Sequence, residues 1–564
     1  MILGVVVGGC ESAGVRARVA EPASKVPGRS AALEVVQPVL SCASLLGFDP
    51  SPFGGTGSAV TEAGLGIHDG VAVCAVSGTL APTIGFRVLL PAETWTQRYL
   101  QTGCGGLCGS IGLKVDAADG CATLARGGFA IASTDMGHQG RGGGFGHDPQ
   151  KRIDFAYRAV HATALTAKAL IARFYGRPPA FSYFSGCSDG GREGLAEAQR
   201  YPEDFDGIVA GAPAMNFSVQ NSFFHAWQAR SNTGDNGAPI LTAERVPIIN
   251  GAVLGACDEL DGLKDQVIAD PRACRFDPSS IRCEPSQGPD HCLTAAEAEV
   301  AKRLYEGPRD PDSGLPLTLG GPQPGSELAW PGVFVPRPGS DQLFSRIIAS
   351  DSLANLLYET NPKSPYRLES LEFTAAEFEK IRPLNGLYSS TDPDLSGMNE
   401  RGAKLILWHG WSDPHISPIN TIAYFEAVES LLGVDRTASF VKLYLLPGMY
   451  HCRGGTGPDR FDMLTAVMDW VESGVEPHAI VTRQGDAERS RSRPVYPYPL
   501  VAAYRGKGSP DEAASFVAKA GARGPRSYAW LGRGFLDPGQ QLECRAERGR
   551  LACGPRTPAR SPRN

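Results

Sequence analysis

Gly186-Cys187-Ser188-Asp189-Gly190-Gly191 is the segment whose residue types and spacing speak most directly of chemistry. It fits G-x-S-x-G, the pattern of a strand-to-helix turn so sharp that flanking glycines are needed to avoid clashes and the serine hydroxyl is lifted clear of the sheet. A serine is a weak nucleophile until a base takes its proton, and the base needs a carboxylate to fix its tautomer. The pattern therefore asks for an acid and then a histidine later in the chain. In Leu405-Ile406-Leu407-Trp408-His409-Gly410-Trp411-Ser412-Asp413-Pro414, Asp413 sits in the loop just beyond an apolar run, and His451 holds the same place after the run that ends at Leu446. Side chains at the carboxyl ends of neighbouring parallel strands meet at one edge of a sheet. His409 and His415 also lie near Asp413, but His409 closes a strand and His415 makes the order ambiguous. Asp392 and Asp394 precede the strand and belong on its far side. The competing reading of the motif is a Gly-rich turn with an incidental serine.

A serine hydrolase also needs N–H donors for an oxyanion. Asp189 N–H, at the start of a helix, is one. A second is expected from the run 98–106, where a strand passes into glycines, at Gly105 or Gly106; a plain tight turn is the alternative.

The elements that must position these groups follow from the hydrophobic pattern. Residues 86–90, 129–133, 181–184 and 207–211 read as strands, and 156–175 and 192–201 as helices. Strands alternating with helices give a mainly parallel α/β sheet. The rhythm fails from 215 to 395, a stretch broken by Pro and Gly, and resumes with strands at 404–408 and 440–446 and a helix at 461–471. The expected architecture is an α/β-hydrolase fold with a large inserted lid: a leader over 1–37 read as unstructured, core over 38–214, lid over 215–395, core again over 396–520, and an extension over 521–564 whose last 20 residues read as disordered.

Bulk composition narrows the class. With 564 residues the chain exceeds one simple core, and a net charge of −6 argues against nucleic-acid binding, which wants a basic face. No run of 18 apolar residues exists, so no membrane span is expected. The 14 cysteines include close pairs (Cys104/Cys108, Cys257/Cys274, Cys283/Cys292, Cys544/Cys553) and no zinc-like spacing, which points to disulfides in an oxidising compartment; Cys42 and Cys74 join the candidates. The pairing of Cys10, Cys104, Cys108 and Cys121 stays open. The apolar start 1–10 reads as a weak or truncated signal peptide, a poor lipoprotein box ending at Cys10, or a leader from a misplaced start. A secreted or cell-surface protein is expected, mainly from the cysteines.

At this point the sequence resembles the tannase/feruloyl esterase family, which includes the mono-(hydroxyethyl) terephthalate hydrolases. The resemblance covers most of residues 40–520 and rests on Cys187-Ser188, His451-Cys452, Thr391-Asp392-Pro393-Asp394-Leu395, His409-Gly410-Trp411-Ser412-Asp413-Pro414 and Arg493-Pro494-Val495-Tyr496-Pro497-Tyr498-Pro499. Tyr496 departs from it, standing where many members have cysteine. The resemblance implies a Cys187–Cys452 disulfide beside the triad and a structural calcium site in the lid at Cys257-Asp258-Glu259-Leu260-Asp261-Gly262-Leu263-Lys264-Asp265-Gln266-Val267. The donors suit a hard cation: carboxylates of Asp258, Asp261 and Asp265, with carbonyls of Leu263 and Val267. An acidic solvated loop is the other reading. The implied reaction is ester hydrolysis through an acyl-enzyme, on a small-molecule ester with an aromatic acyl part of feruloyl, galloyl or terephthaloyl type. Phe344, Tyr358 and Tyr366 either line its pocket or belong to the core. The alternatives are a lipase or peptidase of the same fold, the lipase with a larger apolar lid face, and a catalytically silent binding protein, which would not need all three triad types in order.

Overall fold

The computed structural model describes residues 30–363, 365–485, 490–525 and 528–556. Nine strands form the central sheet: β1 (Ala59–His68), β2 (Val71–Leu80), β3 (Ile84–Pro91), β4 (Arg98–Thr102), β5 (Phe129–Thr134), β6 (Phe181–Cys187), β7 (Gly207–Gly211), β8 (Lys404–Gly410) and β9 (Val441–Leu446). Their spatial order is β1-β2-β3-β5-β4-β6-β7-β8-β9. β1 to β3 form an antiparallel meander, β3 lies antiparallel to β5, and from β5 onward every pair is parallel.

The strands are short and apolar because both faces of the parallel part are covered. In β8, Leu405 and Leu407 join the core that contains Phe184, Leu170 and Ile171, whereas Ile406 and Trp408 join a second core with Met463, Leu464 and Val467. The helices Ala159–Tyr175 and Met463–Ser473 thus lie against opposite faces, as the two-residue period of a strand requires. The helix after β6, Asp189–Arg200, is buried along its whole length despite its polar sequence. Its two arginines are matched by buried acceptors. Arg192 Nε and Nη2 donate to Asp189 at 2.6 and 2.9 Å and Arg192 Nη1 to the Ala156 carbonyl at 2.8 Å; Arg200 donates to the carbonyls of Gly386 and Leu542.

No strand of the sheet lies between β7 and β8, where the chain builds the lid. The lid has its own core of Val253, Leu293, Leu304, Trp330 and Phe334. The helix Ala295–Glu306 starts at a capping box, Thr294 Oγ1 accepting the Glu297 N–H while the Glu297 carboxylate accepts the Thr294 N–H.

Two boundaries differ from the sequence expectation. The leader read as unstructured to residue 37 is already tied to the core from residue 30 onward: Ala31 N–H donates to Glu472 at 2.7 Å and Val36 N–H to the Trp95 carbonyl. At the other end, residues read as disordered form the hairpin Leu542–Glu547/Arg550–Pro555, bridged by Cys544–Cys553 and docked on Arg200 and Tyr157. Both segments are held by backbone groups on buried polar side chains, which leaves no apolar period in the sequence. Residues 1–29, including Cys10, and 557–564 lie outside the described residues. The expected helix 192–201 begins three residues earlier, at Asp189, directly on the serine turn.

Glu472 ties several of these parts together. Its carboxylate accepts from Arg98 Nε at 2.7 Å, Arg98 Nη2 at 2.6 Å, Tyr183 Oη at 2.7 Å and Ala31 N. Both partners of the ion pair are buried. Replacing Glu472 by Ala strands the Arg98 guanidinium, so unfolding free energy should fall by roughly 3–5 kcal/mol. Denaturant unfolding measures the loss, and limited proteolysis should show cleavage near residue 31 before any other site.

Candidate active site

Ser188 stands between β6 and the helix Asp189–Arg200 with φ 65° and ψ −121°, a backbone region that non-glycine residues adopt only when their surroundings enforce it. Enforcement comes from both sides: Ser188 N–H donates to the Gly211 carbonyl and Ala214 N–H to the Ser188 carbonyl, each at 3.0 Å. The glycines around the turn permit a close approach of two backbones. A Cβ on Gly186 would meet Gly190 backbone at 2.6 Å, and a Cβ on Gly103 would meet Gly190 Cα at 2.5 Å. The loop after β4 is therefore pressed onto the start of the serine helix, and Gly103, Gly105, Gly106, Ser188 and Asp189 line one cavity of about 410 Å³. Gly103 is the glycine that packing demands; Gly105 and Gly106, singled out from the sequence, have open space at the Cβ position, and Gly106 has φ +67°. Cys104 N–H is committed to the Glu193 carboxyl at 3.2 Å, and Cys104–Cys108 is a disulfide.

Asp413 is fully buried at the end of β8 and accepts four hydrogen bonds. His451 Nδ1 lies 2.6 Å and His409 Nε2 3.1 Å from Oδ2, while the N–H groups of His415 and Ile416 reach Oδ1 at 2.8 and 3.1 Å. Burial alone would raise this carboxyl, but the His451 charge and the bonds from His409 and His451 outweigh it and hold Asp413 far below the usual carboxylate range. Nδ1 of His451 is engaged by Asp413, and His451 lines the same cavity as Ser188. His409 has a positioning part that its place at a strand end did not reveal: both partners of its Nε2, Asp413 and the Ile416 carbonyl, are acceptors, so Nε2–H donates. Asp392 lies elsewhere, accepting from Asp394 and Gly539 N–H groups.

The lid closes the other side of the cavity with Phe217, Gln220, Asn221, His225, Phe344 and Ile348. Of the three aromatic candidates, Phe344 lines the cavity, edge-on to His415 at 4.6 Å; Tyr358 instead donates to Glu377, and Tyr366 is packed against the main core. His225 carried no signal in the sequence. Its Nδ1 lies 2.9 Å from Ser345 Oγ and its Nε2 3.3 Å from the Gln220 amide, which also donates to the His415 carbonyl. Burial, followed by the His451 charge, pushes His415 down to about 3, and burial pushes His225 well below its ordinary value, so both rings are neutral in the cavity.

Cys187 and Cys452, each adjoining one of these residues, are bonded with Cα atoms 5.9 Å apart, closing a loop of 265 residues that contains the lid. Cys42–Cys74, Cys257–Cys274, Cys283–Cys292 and Cys544–Cys553 are also paired, and Cys121 is buried and free. In the acidic lid loop, Asp258 accepts from the N–H groups of Asp265, Gln266 and Val267, Asp261 from Leu263, and Asp265 is paired with Arg493 at 2.6 Å. Asp261 is pushed up to about 6, first by burial and then by the carboxylates of Asp265 and Asp258, against the Leu263 N–H. That mutual repulsion fits a divalent cation. In this arrangement, though, the Asp258 oxygens turn to backbone N–H groups and one Asp265 oxygen to Arg493.

The family model for tannase and feruloyl esterase matches residues 69–519. The chain belongs to this family. An uncharacterized esterase of Xanthomonas campestris is 33% identical over 503 residues, spanning 80% of this chain and 85% of that protein. The mono(2-hydroxyethyl) terephthalate hydrolase of Piscinibacter sakaiensis is 33% identical over 519 residues, 79% of this chain and 85% of its own. Among solved structures, feruloyl esterase B from Aspergillus oryzae superposes with a TM-score of 0.72 at 26% identity, covering 82% of this chain and 97% of that one. The protein is a carboxylic-ester hydrolase with an α/β-hydrolase fold.

Two alanine substitutions separate packing from chemistry in the loop after β4. Gly103→Ala drives a methyl into Gly190 and should lower both stability and activity, whereas Gly105→Ala should fold as the parent does. Thermal melting of the two variants checks this. Reducing Cys187–Cys452 should cost activity before it costs global structure, because the bridge resists opening between the serine and histidine loops. Its chain-entropy contribution is bounded at roughly 5 kcal/mol for a loop of this order. Activity and far-UV circular dichroism followed together through a reductant titration give the order of loss.

Proposed function

We propose that this esterase hydrolyses esters of aromatic acids through an acyl-enzyme on Ser188, with His451 as base and Asp413 as the carboxylate that orients it. The single observation that carries the assignment is the 2.6 Å Asp413–His451 bond at the cavity onto which the Ser188 turn opens. Ser188 Oγ attacks the ester carbonyl as His451 Nε2 takes its proton; the same proton then passes to the departing alcohol, and water repeats the sequence on the acyl-enzyme. Asp189 N–H and an N–H of Gly105 or Gly106 hold the oxyanion. An aromatic acyl group is supported by the family, by the names of the terephthalate hydrolase and feruloyl esterase relatives, and by a cavity walled by Phe217, Phe344 and Ile348. Gln220, Asn221 and His225 add polar groups for ring substituents.

Ser188→Ala should fold normally and lose at least about four orders of magnitude in kcat. A panel of methyl ferulate, methyl gallate and mono(2-hydroxyethyl) terephthalate, with a long-chain acyl ester as control, assigns the acyl class. Preference for the long-chain ester, or a Ser188→Ala enzyme retaining a few per cent of the rate, refutes the reading.

The lid loop is further proposed to bind structural calcium through Asp258, Asp261 and Asp265, with the Leu263 and Val267 carbonyls; the ion would neutralise the crowded carboxylates and brace the lid. Chelation should lower Tm and excess calcium restore it, since a ligand that binds only the native state stabilises it. Identical melting curves in chelator and in calcium, with no calcium in the purified protein, would count against the site. Six disulfides among the described residues support export to an oxidising compartment. Among those residues no helix is long and apolar enough to cross a membrane.

A further inference from the structure

Away from the catalytic cavity, His161, Glu197 and Asp204 bring one ligand atom each within 4.8 Å of one another, and none of the three lines that cavity. They come from three positions: His161 from the helix Ala159–Tyr175, Glu197 from the serine helix Asp189–Arg200, and Asp204 from the turn that follows it. His161 Nδ1 faces Asp204 Oδ2 at 2.5 Å, and its ring is stacked on Tyr201 at 3.7 Å with only 8° between the planes, so the nitrogen is held pointing inward. Asp204 is itself anchored, its N–H donating to the Tyr201 carbonyl at 2.9 Å.

Glu197 makes the cluster more than a histidine–aspartate pair. It is 1% exposed, and among the described residues no donor meets its oxygens. Its side-chain partner is the Asp204 carboxyl, and burial followed by the Asp204 charge raises Glu197 well above the ordinary carboxylate range, so the pair needs a shared proton or a cation between them. A buried carboxylate left unmatched is costly, and buried charges are generally paired or bound to metal. Other charged groups of the same helix are matched, Asp189 by Arg192 and Arg200 by carbonyls. The nearby ammonium of Lys168 donates to the Asp204 main-chain carbonyl and stands 4.0 Å from Asp204 Oδ1, offsetting one of the two carboxyl groups. The other cluster of potential ligands, Cys104, Cys108, Asp189 and Glu193, is closed to metal because its cysteines are joined and its Asp189 is paired with Arg192.

We propose that His161, Glu197 and Asp204 form a second metal site, taking one borderline divalent cation of the zinc type. One imidazole nitrogen and two carboxylates are a zinc-like donor set with room for a water as fourth ligand, whereas calcium wants six to eight oxygens. The ion satisfies the Glu197 carboxylate and clamps the serine helix to its neighbour. His161, about one quarter exposed at its side chain, provides the entry path.

Tag-free protein stripped with chelator and titrated with zinc chloride tests this, in parallel with His161→Phe, which keeps the stack on Tyr201 but loses the ligand, and Glu197→Gln. Wild type should bind zinc with a rise in Tm that calcium does not reproduce, and each variant should bind at least about tenfold more weakly. A wild type that binds no zinc, or variants that bind as tightly, overturns the site. Should a variant fail to fold, zinc X-ray absorption on the wild type decides: a shell of one imidazole and oxygen donors supports the assignment, and any other shell refutes it. Hydrolysis by Ser188 and calcium in the lid are separate outcomes from this one.

Discussion

A fully buried carboxylate is tolerable only if every lone pair is met, and Asp413 meets that demand with four donors from one short stretch of sheet edge. Much of the site is arranged around this requirement. His409 must close β8, the chain must turn back so that the N–H groups of 415 and 416 face inward, and β9 must lie beside β8 to deliver His451. Asp413 is thereby held far below the usual carboxylate range, with His451 Nδ1 turned to it. The same turn carries His415, whose carbonyl accepts from Gln220, so the lid is bonded to the loop that carries Asp413.

The lid departs from the sheet between β7 and β8, at the carboxyl edge where the serine, the acid and the histidine all emerge. The insertion at that edge roofs Ser188 and His451 and carries an apolar core of its own. Cys187–Cys452 closes the chain around it, so the lid hangs from a base cross-linked beside Ser188 and His451. The neutral His225 and His415 fit this arrangement: burial beneath the lid strips the imidazoles of charge and leaves them as hydrogen-bonding groups.

The serine helix shows a different economy. Nearly all α/β-sheet helices bury one stripe, but Asp189–Arg200 is buried all round and carries Arg192, Glu193, Glu197 and Arg200 inward. Its arginines reach carbonyls of the segment before the long helix, of the lid's end and of the C-terminal hairpin. Peripheral parts of the chain thereby gather on the helix that Ser188 opens.

The α/β rhythm and its break between β7 and β8, the serine turn, and the places of Asp413 and His451 just past β8 and β9 were legible in the sequence because each depends on local pattern: a two-residue or helical period, glycines at a sharp turn, a polar residue just past an apolar run. Gly103 rather than its neighbours as the sterically demanded glycine, His409 as a donor to Asp413, His225 in the cavity, the anchoring of residues 30–37 and the final hairpin were not. Each of these rests on a contact between residues far apart in the chain, often through a backbone carbonyl or N–H that every residue possesses. Such partners have no signature of type or spacing. The sequence by itself determined which chemistry was available and in what order; which groups stand within hydrogen-bond reach was decided only when the strands were laid side by side, because distance and burial belong to the folded chain.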